Sequence, residues 1–224
     1  MKLTGFVIGI RFNKSFSIID NFGAIMDRIL NESDEVFNNQ TYGKYETYHD
    51  ARVLINDEGT NRLILSPENI IVENSKIDDF ENDFSKYLNS YQKIIADSIF
   101  ATYSIKKINR FGCIIRGELE KSDTLFDEIE KVINIHHKTP DSLSIRFNCS
   151  KNKPKEIKGT ITGDYSNQIF SYSRKKSDSL INFSVDYQHY FRPSLNKLED
   201  SKLKFQTFCN NSLNSFKSEY LNKG

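Results

Sequence analysis

The 224-residue sequence has no tryptophan, two methionines, four prolines and three cysteines, and it has no long hydrophobic run. Cys113, Cys149 and Cys209 are odd in number and far apart, which excludes a disulfide framework and a zinc knuckle and favours a reducing compartment. No apolar stretch approaches the ~20 residues of a transmembrane helix. The apolar N-terminal run is interrupted by Arg11 and no small-residue cleavage site follows it, so it does not indicate a signal peptide. These absences predict a cytoplasmic protein without a membrane partner, a disulfide or a structural metal.

The sequence motifs of common enzyme classes are also missing. The chain has no glycine-rich phosphate loop, no GxSxG motif and no HExxH motif. Gly9 and Gly117 fall inside predicted strands, where a glycine marks either a bulge or the close approach of another part of the chain. A tight helix–sheet contact is the simpler explanation for both, and no cofactor is predicted.

The histidines do not form a recognisable site. His136 and His137 follow a predicted helix, where cations are ordinary, and no cysteine or third histidine is nearby, so no metal site is predicted. His189 lies on the apolar face of a predicted strand and is expected to be a hydrogen-bonded core residue. Asp186 points to the other face by strand parity, so the two should not form a catalytic pair. With His49 added, no catalytic residue is predicted, and the chain is not expected to be an enzyme.

Hydrophobic periodicity divides the first half of the chain into six elements. Residues 3–13 alternate as a strand, residues 21–31 have helical spacing, and residues 32–50 are polar and irregular. Three short strands follow, and residues 76–99 then form a long amphipathic helix whose acidic start, 78–83, matches the helix dipole. This half therefore reads β-α-β-β-β-α.

The second half gives the same order of elements. A long strand is predicted over 102–120, a helix after residue 123, and further strands up to Pro193, which ends the last of them. One face of that last strand carries Asn182, Ser184, Asp186 and Gln188, and this face is expected to be wet or functional. A final helix runs from residue 195 or 197 to 221.

The repeated order predicts an α+β fold made by tandem duplication of a β-α-β-β-β-α unit, with the halves at 1–99 and 100–224. The halves should form one compact pseudo-symmetric unit, in which long helices cover one or two largely antiparallel sheets. Phe84 and Phe205 fall at equivalent positions of the two long helices, and both are predicted to be buried.

Charge is balanced overall, at +1, but it is unevenly distributed. Residues 1–99 hold 10 Lys/Arg and 16 Asp/Glu, whereas residues 100–224 hold 21 and 14. Residues 138–176 alone contain nine Lys/Arg and three Asp/Glu. This asymmetry indicates an anionic partner for the second half.

The basic segment supplies the candidate site residues, which are Lys151, Lys153, Lys155, Lys158, Arg174, Lys175 and Lys176. Tyr165, Phe170 and Tyr172 lie between the two basic turns. If both turns lie at the same end of an antiparallel sheet, the lysines could follow a nucleic-acid backbone while the aromatic rings stack on bases. The alternative is that lysine-rich turns keep a sheet soluble and its edges unpaired.

Two functions remain after these exclusions. The first is a non-catalytic protein that binds another macromolecule, most simply a protein, through a sheet face or edge, as an adaptor, an inhibitor or an accessory subunit. The alternative is a nucleic-acid-binding accessory protein that uses the basic segment 138–176. The sequence leaves the oligomeric state and the identity of the partner open.

Overall fold

Strands dominate the fold, because 50% of the described residues are in strands and 31% are in helices. The computed structural model of the chain describes residues 1–32, 44–48, 51–92, 105, 107–120, 127–129, 131, 142–152, 154–175, 179–195 and 198–221. The strands are β1 Lys2–Phe12, β2 Lys44–Tyr48, β3 Ala51–Ile55, β4 Asn61–Leu65, β5 Asn69–Asn74, β6 Ile108–Leu119, β7 Ser142–Lys151, β8 Lys155–Ile157, β9 Thr160–Thr162, β10 Tyr165–Lys175 and β11 Ile181–Leu195. The helices are α1 Ser17–Asp20, α2 Phe22–Glu32, α3 Phe80–Ser90 and α4 Leu198–Phe216, and a π-helical turn follows at Lys217–Leu221.

Nine of these strands form one continuous sheet in the order β2-β3-β4-β5-β1-β6-β11-β10-β7. Every pairing within it is antiparallel. The first strand, β1, pairs with β6 from the second half of the chain, so both halves of the sequence contribute to one sheet. Strands β8 and β9 form a separate hairpin.

The predicted α+β class, with a duplicated unit and long helices covering the sheet, is wrong, because a single large antiparallel sheet makes up most of the described fold. Four long strands, β6, β7, β10 and β11, each contain 10 to 15 residues. Much of the second half of the chain therefore lies in the sheet. In the first half, the polar segment 32–50 was predicted to be irregular, yet it contains β2. The predicted division at residues 99 and 100 stays a prediction, since residues 93–100 lie outside the described part of the chain.

Two predicted element ends are corrected in detail. Helix α3 begins at Phe80 rather than near residue 76, because the Asp79 side chain accepts a hydrogen bond from the Asn82 backbone N–H and caps the helix there. Pro193 does not end β11, which continues to Leu195. The pairing of β11 with β6 shifts register between Tyr190 and Leu195, which removes the need for a backbone N–H at the proline.

The hydrophobic core lies between the sheet and helices α3 and α4. The Phe6 ring of β1 meets the Phe84 ring of α3 edge-on at 5.2 Å, and the Phe111 ring of β6 meets the Phe205 ring of α4 at 5.1 Å. Phe84 and Phe205 are 0% and 1% exposed, so the predicted burial of both rings is confirmed. The face of the sheet that these helices contact is called the inner face below.

The two helices also meet each other over the centre of the sheet. The Tyr91 and Phe205 rings are 5.2 Å apart, and the Gln92 side chain donates a hydrogen bond to the Lys202 carbonyl at 2.9 Å. The Tyr91 hydroxyl donates to the Ile70 carbonyl of β5 at 2.8 Å, which satisfies a polar group that would otherwise be buried without a partner. These contacts hold the helices on one side, so the alternate residues of the central strands form a second face.

Candidate functional site

The outer face of the sheet, which points away from α3 and α4, carries polar residues from strands that are distant in sequence. Directly paired residues of antiparallel strands point to the same face, so the register of the sheet shows which side chains are neighbours. One row crosses five adjacent strands through Asn69, Arg11, Arg110, Tyr190 and Tyr165. This set is called the arginine–tyrosine row.

The aromatic part of the row is a stacked pair flanked by guanidinium groups. The Tyr165 and Tyr190 rings are parallel to within 5° and 4.6 Å apart. The Arg110 and Arg192 guanidinium groups lie 5.7 and 5.9 Å from the centre of the Tyr190 ring, within the range of cation–π contacts. The row therefore presents π-surfaces and fixed positive charges together.

A polar cavity of about 370 Å³ adjoins the arginine end of the row and is called the cationic pocket. Four cations line it, namely Arg11, Lys14, Arg110 and Arg192, and Glu68 is the one carboxylate among its described lining residues. Glu68 is held by Arg11 at 2.6 Å. The other three cations form no ion pair with any described carboxylate, so the pocket has positive charge available for an anion.

A shallow furrow of about 80 Å³ runs beside the arginines. Its floor is made by Gly9 and Gly112, which are directly paired and have no side chain to fill the space. Ile71 and Ile114 line it on the side away from the arginines. A Cβ atom at Gly9 would lie 3.0 Å from the Ile71 side chain, so this glycine allows two neighbouring strands to approach closely, and the helix–sheet explanation does not apply to it.

A chain of hydrogen bonds links the arginine–tyrosine row to Asp186, which lines the furrow. The Arg110 guanidinium donates to the Tyr190 hydroxyl at 3.4 Å, which in turn donates to the Gln188 carbonyl oxygen at 2.8 Å. The Gln188 amide donates to an Asp186 carboxylate oxygen at 2.6 Å. Burial raises the pKa of Asp186, and the Gln188 hydrogen bond and the charges of Arg110 and Arg146 oppose that rise. The face of β11 that the sequence predicted to be wet or functional carries this network.

The predicted basic cluster is divided between two ends of the sheet. Lys151 pairs with Ser166 and Lys175 pairs with Ser142, so nine residues of β10, or roughly 30 Å, separate the two groups. The condition that both turns lie at the same end is therefore not met. Arg174 lies beside Lys175 in β10, whereas Lys153 and Lys176 lie outside the described residues. Binding by these residues stays a prediction.

The remaining members of the cluster lie on the β8–β9 hairpin. Lys155 is in β8 and Lys158 is in the turn, and both are exposed. Lys158 and Gly159 have φ values of 51° and 75°, which is the pair of left-handed residues that a type I′ hairpin turn requires. Of the three aromatic residues between the basic turns, only Tyr165 is on the outer face, since Phe170 and Tyr172 are 7% exposed in the core.

His189 and Asp186 do not form a pair, which confirms the prediction from strand parity. Asp186 is bound by Gln188 on the outer face, whereas His189 Nδ1 on the inner face is 2.9 Å from the Ser166 hydroxyl. The other ring nitrogen of His189 is 3.9 Å from an Asp164 carboxylate oxygen. Burial lowers the pKa of His189, and Asp164 partly offsets this effect. His49, His136 and His137 lie outside the described residues.

The cysteines and acidic groups do not add a further site to the described part of the chain. Cys113 and Cys209 are buried in the core, and Cys149 is exposed on β7. Burial, followed by a hydrogen bond with Cys113, raises the pKa of the Cys209 thiol. No group of three or more His, Cys, Asp or Glu side chains in the described ranges is placed to hold a metal ion. None of the helices described is both long enough and apolar enough to span a bilayer.

Sequence reasoning missed the arginine–tyrosine row because its members come from five strands whose pairing the sequence does not show. Arg11 and Arg110 are far apart in the sequence, and only the pairing of β1 with β6 makes them adjacent. The polar alternation of β11 was the one local signal for this face. The chain matches no protein-family model and no curated protein, so its function is argued from this geometry.

Proposed function

We propose that the protein is a non-catalytic binding protein whose outer sheet face holds single-stranded nucleic acid. The observation that supports this proposal is the arginine–tyrosine row together with the cationic pocket beside it. The proposed site lies on a different set of residues from the lysine cluster that the sequence singled out.

The chemistry of the row suits the two parts of a nucleotide. Guanidinium groups bind phosphate oxygens through two parallel hydrogen bonds, and Lys14, Arg110 and Arg192 are not occupied by described carboxylates. Tyrosine rings and guanidinium planes stack on bases, and stacking contributes about 1–3 kcal/mol per base. A strand that crosses the row brings its phosphates to the arginines and its bases to the Tyr165 ring, since the Tyr190 ring is already stacked on Tyr165 and contacted by guanidinium groups.

A single strand fits this surface better than a duplex does. Bases in a duplex are already stacked and show only their edges in the grooves, so flat π-surfaces on a sheet gain nothing from them. The proposal therefore predicts a preference for unpaired DNA or RNA.

Fluorescence anisotropy with a labelled single-stranded oligonucleotide, measured over a series of salt concentrations, tests this function. Each neutralised phosphate contributes about 0.7 to the log–log salt slope for single strands, so three available cations predict a slope of about −2. The same sequence as a duplex should bind more weakly. Absence of binding at low salt, or a clear preference for the duplex, would contradict the proposal.

The edge strand β7 supports a second candidate, a protein partner that adds a strand to the sheet. Strand β7 is ten residues long and lies at one end of the sheet order. Its free edge pairs with no described strand. Phe147 of this strand is 46% exposed, although it stacks on Phe170. Long exposed edges of this kind are templates for an incoming strand.

Affinity capture with wild-type protein and with the variant Phe147→Lys distinguishes this candidate. A lysine on an edge strand opposes strand addition, so a partner bound through β7 should be lost from the variant. A partner that is retained equally by both proteins does not use this edge. The variant should still bind the oligonucleotide, since Phe147 lies on the inner face of the sheet and the oligonucleotide is proposed to bind the outer face.

A further inference from the structure

A second cavity lies on the inner face of the sheet, on the opposite side from the arginine–tyrosine row. It is a cleft of about 590 Å³ between helix α4 and strands β10 and β11. This volume falls in the range of small-molecule binding sites, which is about 300–1,000 Å³. The cleft is called the helix cleft.

The floor and the mouth of the helix cleft are apolar. Phe111 and Phe191 line it and are 1% and 5% exposed, and their rings meet edge-on at 4.8 Å. The Phe208 ring of α4 lies 5.8 Å from that of Phe111. Leu203 lines the cleft at its mouth and is 69% exposed, which is a high exposure for a leucine on a packed helix. A flat apolar ligand would cover both the aromatic floor and this leucine.

Polar groups converge on one wall of the helix cleft. The Ser166 hydroxyl and His189 Nδ1 are 2.9 Å apart and both residues line the cleft. His189 Nε2 makes no hydrogen bond with a described residue, since Asp164 is 3.9 Å away and beyond hydrogen-bond distance. The Asp164 carboxylate is already engaged, because its Oδ1 atom accepts a hydrogen bond from the Arg192 backbone N–H at 2.8 Å. Nε2 is therefore available to a ligand.

The charges around the helix cleft favour an anion. Lys151 and Lys204 line it and are exposed, and Asp164 is the one carboxylate among its described lining residues. We propose that the helix cleft binds a small organic anion with a flat apolar body, such as an aromatic carboxylate. The apolar body lies on the phenylalanine floor under Leu203, and the carboxylate meets the lysines and accepts a hydrogen bond from His189 Nε2.

Isothermal titration with 2-naphthoate tests this site, and the neutral 2-naphthalenemethanol, which has the same ring system, is the ligand control. The variants are Lys204→Glu and Leu203→Ser, both at exposed positions that leave the core intact. Lys86→Glu, an exposed lysine of helix α3 outside the cleft, is the matched protein control.

The proposal predicts that naphthoate binds and that the alcohol binds more weakly. Lys204→Glu should weaken naphthoate binding about tenfold or more, because it replaces a charge-assisted contact by repulsion. Leu203→Ser should weaken both ligands severalfold, and Lys86→Glu should change neither. No heat of binding at about 1 mM ligand, equal affinity for the alcohol, or equal losses in Lys204→Glu and Lys86→Glu would each overturn the proposal.

Discussion

The two faces of the sheet are built from the same strands and differ in almost every property. In β1 and β6, neighbouring residues point to opposite faces, so Ile10 is 2% exposed in the core while Arg11 reaches the cationic pocket. Phe111 is buried under α4, and the preceding residue, Arg110, lies in the arginine–tyrosine row. A single-residue step along a strand therefore separates the residues that stabilise the fold from the residues that are proposed to bind.

The largest expected effect comes from truncating the inner face. Phe84→Ala and Phe205→Ala should each lower the free energy of unfolding by about 3–5 kcal/mol, because each leaves a cavity in a packed aromatic core. On the outer face, Arg11→Ala removes only a half-exposed ion pair with Glu68 and should cost about 0–1 kcal/mol. Urea denaturation of the three variants measures the contrast. Similar midpoints for all three would mean that the inner face is not the core.

Two glycines of β6, Gly117 on the inner face and Gly112 on the outer face, allow the two faces to be compared by the same Gly→Ala substitution, with a smaller expected loss of stability. A Cβ atom at Gly117 would lie 2.5 Å from the Phe183 ring and 2.8 Å from the Lys2 carbonyl, so the close neighbours are strands and not a helix. Gly117→Ala should therefore destabilise the protein by about 1–3 kcal/mol through overpacking. Gly112→Ala faces open space, with the nearest atom at 3.9 Å, and should be close to neutral. Thermal unfolding of both variants tests this, and equal losses would count against the assignment of faces.

His189 makes the inner face sensitive to acid. Burial lowers its pKa below the ordinary value of 6.5, so in this part of the pH range the unfolded chain binds a proton more readily than the native protein. The contribution of neutral His189 to the free energy of unfolding is complete above about pH 6.5. It is lost as the pH falls toward the lowered pKa of His189 in the native protein. Comparing wild type with His189→Gln by denaturation at several pH values should show a difference that grows on acidification. A constant difference would remove this role for His189.

Asp186 should have the opposite and smallest effect, on the outer face. Its pKa is raised by burial above the ordinary 3.8, so the native protein holds the proton more tightly than the unfolded chain. Stability is therefore lost as the pH rises through the interval between these two values, and the loss stays constant above it. Asp186→Asn should gain stability relative to wild type near neutral pH, and this gain should disappear in strong acid. Denaturation at several pH values measures this gain. If Asp186→Asn were less stable than wild type at every pH, the predicted direction of the effect would be wrong.

Local pattern predicted much of the strand content and little of its arrangement. The alternation of Phe6, Ile8, Ile10 and Phe12 located β1 to within one residue at each end. Alternation identifies strands but does not show which strands pair, so the joining of β1 to β6 and the single nine-stranded sheet were not predictable. Strand β2 was missed because its sequence, KYETY, has little apolar character.

The arginine–tyrosine row was not found from the sequence for a related reason. The lysine cluster could form one surface only if its basic turns lay at the same end of a sheet, whereas Lys175 and the pairing partner of Lys151, Ser166, lie nine residues apart along β10. Binding by these lysines stays a prediction. Conversely, Arg11, Arg110 and Tyr190 are far apart in sequence and become neighbours only through the sheet register. The polar alternation of β11 was the available signal, and one sequence does not show which polar residues of different strands face one another.

The central claim, that the outer face holds the nucleic acid, is tested most directly by two charge-matched double variants. Arg110→Gln with Arg192→Gln removes two charges that are not paired with a described carboxylate from the cationic pocket beside the arginine–tyrosine row, and Lys155→Gln with Lys158→Gln removes two from the exposed β8–β9 hairpin. Anisotropy titrations with one single-stranded oligonucleotide at fixed salt should show a loss of about tenfold or more for the arginine pair and near wild-type affinity for the lysine pair. Equal losses in both, or a loss confined to the lysine pair, would contradict the claim.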